Sequence, residues 1–108
     1  MFLLINLSEK DCIHLALFDL EHRTDKKYIG RNKDLLISVD NFLKKNNLNK
    51  KDLKGIMTIV GSGGFTSTRI SVVVTNSLTY VLNIPVLAIK EEDAKKAQKL
   101  IPKLLNKT

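Results

Sequence analysis

The stretch GIMTIVGSGGFTSTRI, residues 55–70, decides the fold that this sequence predicts. Its first six residues are apolar apart from one threonine, which is typical of a central strand that is covered on both faces. Three glycines among the next four residues mark a tight turn, so the strand ends there. Because a helical pattern follows the turn, the stretch predicts a strand–turn–helix unit of an α/β protein.

The segment after the glycine turn combines a helical period with residue types that favour a strand. Three consecutive valines from Val72 and several threonines have high strand propensity, and Asn76-Ser77 is also compatible with a hairpin turn. The apolar stripe nevertheless recurs at intervals of three and four, through Ile70, Val73, Val74, Ser77, Leu78, Val81 and Leu82. We therefore predict a helix, which Pro85 closes.

Three strands are predicted before residue 31. Residues 2–7 and 12–18 are apolar runs separated by turn residues, which predicts two adjacent buried strands. Residues 19–25 are polar and predict a turn. Residues 26–30 predict a short third strand, whose lysines protect a sheet edge.

Two further helices and a last strand complete the predicted order. An amphipathic helix, ending near Asn46, is indicated by apolar residues at helical spacing: Leu35, Leu36, Val39, Phe42 and Leu43. Residues 86–89 predict a strand, and the acidic residues from Glu91 favour the start of a final helix, which Pro102 ends or kinks near Leu100. The predicted order is βββαβαβα.

Length and charge bound the class of protein. A chain of 108 residues with 44% apolar content indicates one domain with a single core. The net charge of +7 is compatible with two interpretations, attraction to nucleic acid or a solvated, lysine-rich surface. The basic residues are 15 lysines and three arginines scattered beside acids, which favours the solvated surface.

Cys12 is the only cysteine, which excludes an intrachain disulfide and a cysteine cluster for a metal. A reducing compartment fits this usage. The apolar start lacks the basic segment of an export signal, and no apolar run is long enough to span a membrane. We therefore expect a cytoplasmic protein with no membrane contact.

The glycine turn is the first candidate for chemistry. Backbone N–H groups between a strand and a helix can form a nest for a phosphate, although the glycine spacing matches neither the Walker A loop nor the dinucleotide fingerprint. A purely structural turn is the alternative. Arg69 lies one helical turn later, and it either reaches a bound phosphate or carboxylate or pins the turn by donating to backbone carbonyls.

Catalysis needs a nucleophile beside a base, or paired carboxylates, and the sequence shows neither arrangement. His14 lies in a strand pattern and His22 in a turn, and neither has an identifiable catalytic partner. Cys12 alternates with His14 and Ala16 on one strand face, where packing accounts for it. We therefore expect no catalytic residue and no metal site.

Residues 61–70, GSGGFTSTRI, resemble the signature G-P-G-S-F-T-G-L-R-I of the TsaB family, also called YeaZ. Residues 4–8, LINLS, are similar to the family's first strand with its I-D-T-S, and residues 83–86, NIPV, to the G-I-P-L before its fifth strand. The resemblance implies a single ribonuclease-H-like (actin-like ATPase) subdomain over residues 1–108. Its sheet would be mixed and five-stranded with three helices, and the family's second subdomain would be absent.

The resemblance also implies a noncatalytic role. TsaB proteins bind the enzyme TsaD and, with the ATPase TsaE, support threonylcarbamoyl transfer to an adenosine of tRNA. We therefore expect a partner subunit of a TsaD-like protein, with a TsaE-like ATPase and indirect tRNA association. The alternative is a diverged module that self-associates, as a homodimer, and binds nucleic acid or a nucleotide.

Asn6 bears on the expected cofactors. It stands where related actin-like ATPases have an aspartate on the first strand, and a neutral amide is a poorer magnesium ligand. We expect no cofactor held by this chain alone, while a nucleotide at a chain interface stays open.

The resemblance places the partner contact on the two middle helices, residues 35–43 and 69–80. The predicted interface residues are Leu35, Val39, Phe42, Arg69, Ile70, Val73, Val74, Asn76, Ser77 and Tyr80. The signature turn consists of Gly61, Gly63, Gly64, Phe65, Thr66 and Arg69.

Overall fold

One five-stranded sheet organises the chain. A computed structural model describes residues 1–7, 11–30, 34–60, 76–77, 80 and 82–105. The strands are β1 (Phe2–Asn6), β2 (Cys12–Phe18), β3 (Arg23–Ile29), β4 (Gly55–Val60) and β5 (Val86–Lys90). They lie in the order β3-β2-β1-β4-β5. The β1–β2 and β2–β3 pairs are antiparallel, whereas β1, β4 and β5 run parallel, so the predicted mixed five-stranded sheet is confirmed.

The described residues contain two α-helices, α1 (Leu35–Lys45) and α2 (Ile101–Leu105), not the three predicted. Two 3₁₀ helices, Lys50–Asp52 and Glu91–Leu100, accompany them. The predicted middle helix, residues 66–82, lies mostly outside the described residues. Its described members, at positions 76, 77, 80 and 82, have helical backbone.

The final helix differs from the prediction in type. Residues Glu91–Leu100 form a 3₁₀ segment that is interrupted by a kink at Lys96, and an α-helix begins only at Ile101. Pro102 has no N–H to donate to the carbonyl of Gln98, four residues earlier, so an α-helical ladder cannot continue through it. The Ile101 N–H donates to the Gln98 carbonyl instead. The predicted change near Leu100 is therefore present, but the chain stays helical beyond it.

The third strand begins earlier than predicted because Asp19 closes a tight turn. Its Oδ1 accepts the backbone N–H groups of Glu21 and His22 at 2.8 and 2.6 Å, and its own N–H donates to the His22 carbonyl. Strand β3 then pairs with β2 from Arg23 to Ile29. The predicted edge position is correct, since β3 is the outermost strand of the sheet.

The core is divided between the two faces of the sheet. Side chains of β1 alternate, so that Leu3 and Ile5 pack beneath α1 while Phe2 and Leu4 pack toward the C-terminal helical segment. The α1 side includes Leu15, Leu17, Leu35, Val39, Phe42 and Leu43. The opposite side includes Phe18, Met57, Ile59, Leu87, Ile101 and Leu104. Because β1 is covered on both faces, all five of its residues are buried.

Helix α1 ends in a Schellman motif. Asn47 adopts a positive φ of 59°, Leu48 N donates to the Leu43 carbonyl at 2.9 Å, and Asn47 N donates to the Lys44 carbonyl at 3.1 Å. Leu43 and Leu48 belong to the same core cluster, the apolar contact that usually accompanies this motif. The predicted end of α1 near Asn46 is confirmed.

Candidate functional site

Two large aliphatic side chains of α1 point away from the sheet. Leu36 is 48% exposed and Ile37 is 63% exposed, whereas Leu35 beside them is fully buried. Ile37 lies about 200° around the helix from Leu35, on the side opposite the core. An adjacent pair of exposed aliphatic residues on one helix is typical of a contact surface. The exposed pair Leu36 and Ile37 is called here the α1 patch.

Three of the predicted interface residues on the middle helix are exposed. Tyr80 is 89% exposed, and Asn76 and Ser77 are also exposed. Leu82, which ends this helical segment, packs against the core cluster that α1 covers. Leu82 and α1 therefore lie on the same side of the sheet.

Three predicted interface residues are placed elsewhere by the structure. Leu35, Val39 and Phe42 lie in the core beneath α1, at most 2% exposed, and the ring of Phe42 packs edge-on against Tyr28. The prediction of a partner contact for these residues was wrong because the apolar stripe of α1 is occupied by its own sheet. The apolar residues that α1 leaves exposed are Leu36 and Ile37. A helical wheel drawn from the sequence would have placed Ile37 opposite the buried stripe.

The remaining predicted site residues belong to the part of the chain that follows β4. The signature turn, Gly61, Gly63, Gly64, Phe65, Thr66 and Arg69, and the interface residues Ile70, Val73 and Val74 lie outside the described residues. Strand β4 does end at Val60, directly before the turn, with β1 and β5 parallel on either side of it. The turn thus starts at the carboxyl end of the parallel strands, where open α/β sheets bind ligands.

A polar cluster on β2 and β3 was missed by the sequence reasoning. His14 Nε2 lies 2.7 Å from Asp25 Oδ2, so His14 does have an acidic partner. Arg23 donates to both oxygens of Asp25, from Nε at 2.8 Å and from Nη2 at 3.0 Å. Asp25 was placed in a turn by its polar neighbours, and only the β2–β3 register brings it beside His14.

The electrostatics of this cluster fit a structural role. Burial acts to raise the pKa of Asp25, but hydrogen bonds from Arg23 and His14 outweigh it and lower the pKa below its ordinary value. Arg23 Nη1 also donates to the Ala94 carbonyl at 2.7 Å. Asp25 is thus held as a carboxylate by an arginine that anchors the 3₁₀ segment, which is a poor arrangement for a general base.

Asn6 is the polar residue at the carboxyl end of β1. It is buried and pairs in register with His14 on β2. Within the part of the chain that the structure describes, no group of three or more His, Cys, Asp or Glu side chains is placed to hold a metal ion. Nor is any helix of that part long and apolar enough to cross a membrane.

Comparisons with known proteins agree with this architecture. A family model described as "TsaD: tRNA N6-adenosine threonylcarbamoyltransferase" matches residues 31–103, more than half of the chain. "YeaZ from Pseudomonas aeruginosa" is similar in structure, with a TM-score of 0.73 and 24% identity over 82% of this chain and 44% of that one.

A second solved structure supports the same fold. It is described as an uncharacterized protein with similarity to peptidase YEAZ from Pseudomonas aeruginosa, and it has a TM-score of 0.76 at 24% identity. The match covers 94% of this chain and 48% of the other, so the chain spans less than half the length of both structures. Curated proteins give no significant match.

Proposed function

The chain belongs to the TsaD (tRNA N6-adenosine threonylcarbamoyltransferase) family, and from that premise we propose that it is a noncatalytic partner subunit of a TsaD-like enzyme in the formation of tRNA threonylcarbamoyladenosine (t6A). A TsaE-like ATPase would complete the complex. The YeaZ-like fold supports this choice within the family, because the TsaB signature at residues 61–70 accompanies it.

The observation that carries the proposal is the α1 patch. Leu36 and Ile37 are exposed on a helix whose other apolar residues are buried, and Tyr80 on the predicted middle helix is exposed as well. Leu36 and Ile37 are about half exposed, so covering each contributes about half of the roughly 1.5–3 kcal/mol that full burial of an aliphatic side chain gives, before the costs of association. Such residues are therefore suited to anchor a partner helix.

The noncatalytic assignment is supported by Asn6 at the carboxyl end of β1 and by Asp25 on β3. Asn6 stands where the related ATPases carry an aspartate, and Asp25 is engaged by Arg23 and His14. Catalysis and any nucleotide would then belong to the partner or to the interface between the two chains.

The test is co-purification of the chain with the TsaD-like protein of its own organism. We expect a one-to-one complex with the unaltered chain and its loss with the double variant Leu36→Asp/Ile37→Asp. Leu20→Asp is the matched control, because Leu20 is 71% exposed in the β2–β3 turn, away from α1. Depletion of the chain should lower t6A in bulk tRNA, measured by mass spectrometry of nucleosides. Normal t6A after clean depletion, or a complex that survives the double variant, would contradict the proposal.

A homodimer through the same α1 patch is the second candidate. The same exposed residues favour it, since a self-complementary helix surface can pair with a second copy. Light scattering of the purified chain separates the two candidates: a dimer that dissociates when the TsaD-like protein is added indicates a shared surface, and a dimer that persists indicates self-association as the function.

A further inference from the structure

One of the lysine-rich segments of the chain follows α1. Residues 44–54 contain five lysines and a single acid, Asp52, a net charge of +4 against +7 for all 108 residues. The lysines are Lys44, Lys45, Lys50, Lys51 and Lys54. Residues 26–33 and 95–107 are comparably basic, so residues 44–54 are distinguished by the groove that they line and not by charge alone.

Residues 44–54 reverse direction after α1 and return alongside it. The left-handed Asn47 reverses the chain after α1, and the 3₁₀ turn Lys50–Asp52 returns beside the helix. Lys50 Nζ lies 3.0 Å from Asp40 Oδ1, one helical turn before Lys44. An open groove of about 460 Å³ results, lined by Asp40, Lys44, Asn49, Lys50 and Lys51 over the apolar floor of Leu43 and Leu48. It is called here the basic groove.

The ammonium groups of the basic groove are available to an anion. Lys44 and Lys51 are exposed and form no ion pair with any described residue, and the same holds for Lys45 next to them. Lys50 is shared with Asp40, but both side chains are 42% exposed, so a stronger anion can compete for it. The groove thus presents Lys44 and Lys51 as charges that no described acid neutralises.

We infer that the basic groove binds the phosphate backbone of RNA, and, if the proposed function holds, of the tRNA whose modification the partner carries out. An open, lysine-lined track matches an extended polyanion better than a small molecule, since ligand pockets are concave and mostly apolar. Lysine ammonium groups act as point charges, which position a nucleic acid without reading its bases. The chain would then contact tRNA directly, in addition to any contact through its partner.

An RNA fits the groove better than an anionic membrane surface. Segments that bind such surfaces combine basic residues with exposed apolar side chains that enter the lipid. The large apolar side chains exposed in the described part of the chain are Leu20, Ile29, Leu36, Ile37, Tyr80 and Leu105, and none of them lies in residues 44–54.

The test compares Lys44→Gln/Lys51→Gln with Lys95→Gln/Lys99→Gln. Each variant removes two exposed lysines, and none of the four lysines forms an ion pair with a described residue. The two variants therefore have the same net charge and differ only in the position of the removed charges. Binding of an in-vitro transcribed tRNA is measured by fluorescence anisotropy at several salt concentrations, with the full chain alone and in complex with the TsaD-like protein.

We expect Lys44→Gln/Lys51→Gln to weaken tRNA binding about 50-fold at 0.1 M salt and to reduce the salt slope by about 2, because each phosphate contact contributes a slope near −0.9. The Lys95→Gln/Lys99→Gln variant should change affinity less than about threefold. Equal weakening by both variants, or no tRNA binding by the unaltered chain, would overturn the inference. So would lysine-dependent binding to phosphatidylserine vesicles that exceeds binding to tRNA.

The outcomes also separate this inference from the proposed function. A groove variant that keeps the TsaD-like partner but loses tRNA supports the inference. If that variant keeps both, the inference fails while the proposed function stands. If the unaltered chain binds tRNA through the groove but forms no complex with the TsaD-like protein, the groove is supported and the proposed function fails.

Discussion

Arg23 Nη1 donates a hydrogen bond of 2.7 Å to the carbonyl oxygen of Ala94, 71 residues later in the chain. Arg23 begins the edge strand β3, and Ala94 lies in the 3₁₀ segment Glu91–Leu100. Gln98 Nε2 adds a second tie by donating to the carbonyls of Asp19 and His22 at 2.9 and 3.2 Å. The β2–β3 hairpin is thus fastened to the end of the chain by side chains that satisfy backbone carbonyls.

Removal of this tie should destabilise the protein. Arg23→Met leaves Asp25 without its bidentate partner and the Ala94 carbonyl without its donor, so we expect the free energy of unfolding to fall by about 1–3 kcal/mol. Arg23→Lys should recover only part of the loss, because an ammonium cannot reproduce the planar fork. Urea unfolding followed by circular dichroism measures both, and an unchanged midpoint for Arg23→Met would show that the tie contributes nothing.

Asp25 should make stability depend on acid pH. Its pKa is lowered in the folded state, despite the opposing effect of burial, by hydrogen bonds from Arg23 and His14. Its contribution is therefore complete above the unfolded-state pKa near 3.9, and is lost as the pH falls through the lower folded-state pKa. Asp25→Asn should lower stability at pH 7 and flatten the decline in acid.

The control for that prediction is Asp19, whose pKa is also lowered, by the backbone N–H groups of Glu21 and His22. If the decline of stability in acid is unchanged in Asp25→Asn and disappears in Asp19→Asn, the pH dependence comes from the turn that Asp19 closes and not from Asp25.

Tyr28 carries a hydroxyl that is buried without a hydrogen-bond partner in the described structure. Its ring packs edge-on against Phe42, with centroids 6.4 Å apart. Because an unsatisfied buried hydroxyl costs about 1–3 kcal/mol, Tyr28→Phe should leave stability unchanged or raise it by up to about 1 kcal/mol. Thermal unfolding is the measurement, and a fall of more than about 1 kcal/mol would mean that the hydroxyl is paired.

Asn47 offers a test of the turn that forms the basic groove. Its φ of 59° is natural for glycine, so Asn47→Gly should raise stability by about 0.5–1 kcal/mol and preserve tRNA binding. Asn47→Val should lower stability by about 1–2 kcal/mol, since a β-branched residue is strained there. If valine is tolerated as well as glycine, the Schellman motif does not determine the end of α1.

Part of the fold was predictable because the signals are local. The apolar run GIMTIV, the glycines after it and the helical spacing from Leu35 each lie within a few residues of the element that they specify. The edge strand was predicted at the right place but too short, because Asp19 closes its turn with three hydrogen bonds that composition does not reveal. The 3₁₀ form of Glu91–Leu100 was missed because helical periodicity does not distinguish the two ladders.

The sequence by itself determined the order of the strands and of α1 along the chain and, through residues 61–70, the resemblance to the TsaB family. Only the tertiary structure decided that Leu35, Val39 and Phe42 are core rather than interface, and that Asp25 lies beside His14. The physical reason is that periodicity defines an apolar face but not what covers it. Burial and charge pairing depend on strand register and on chain reversals such as the one at Asn47, which join residues far apart in sequence.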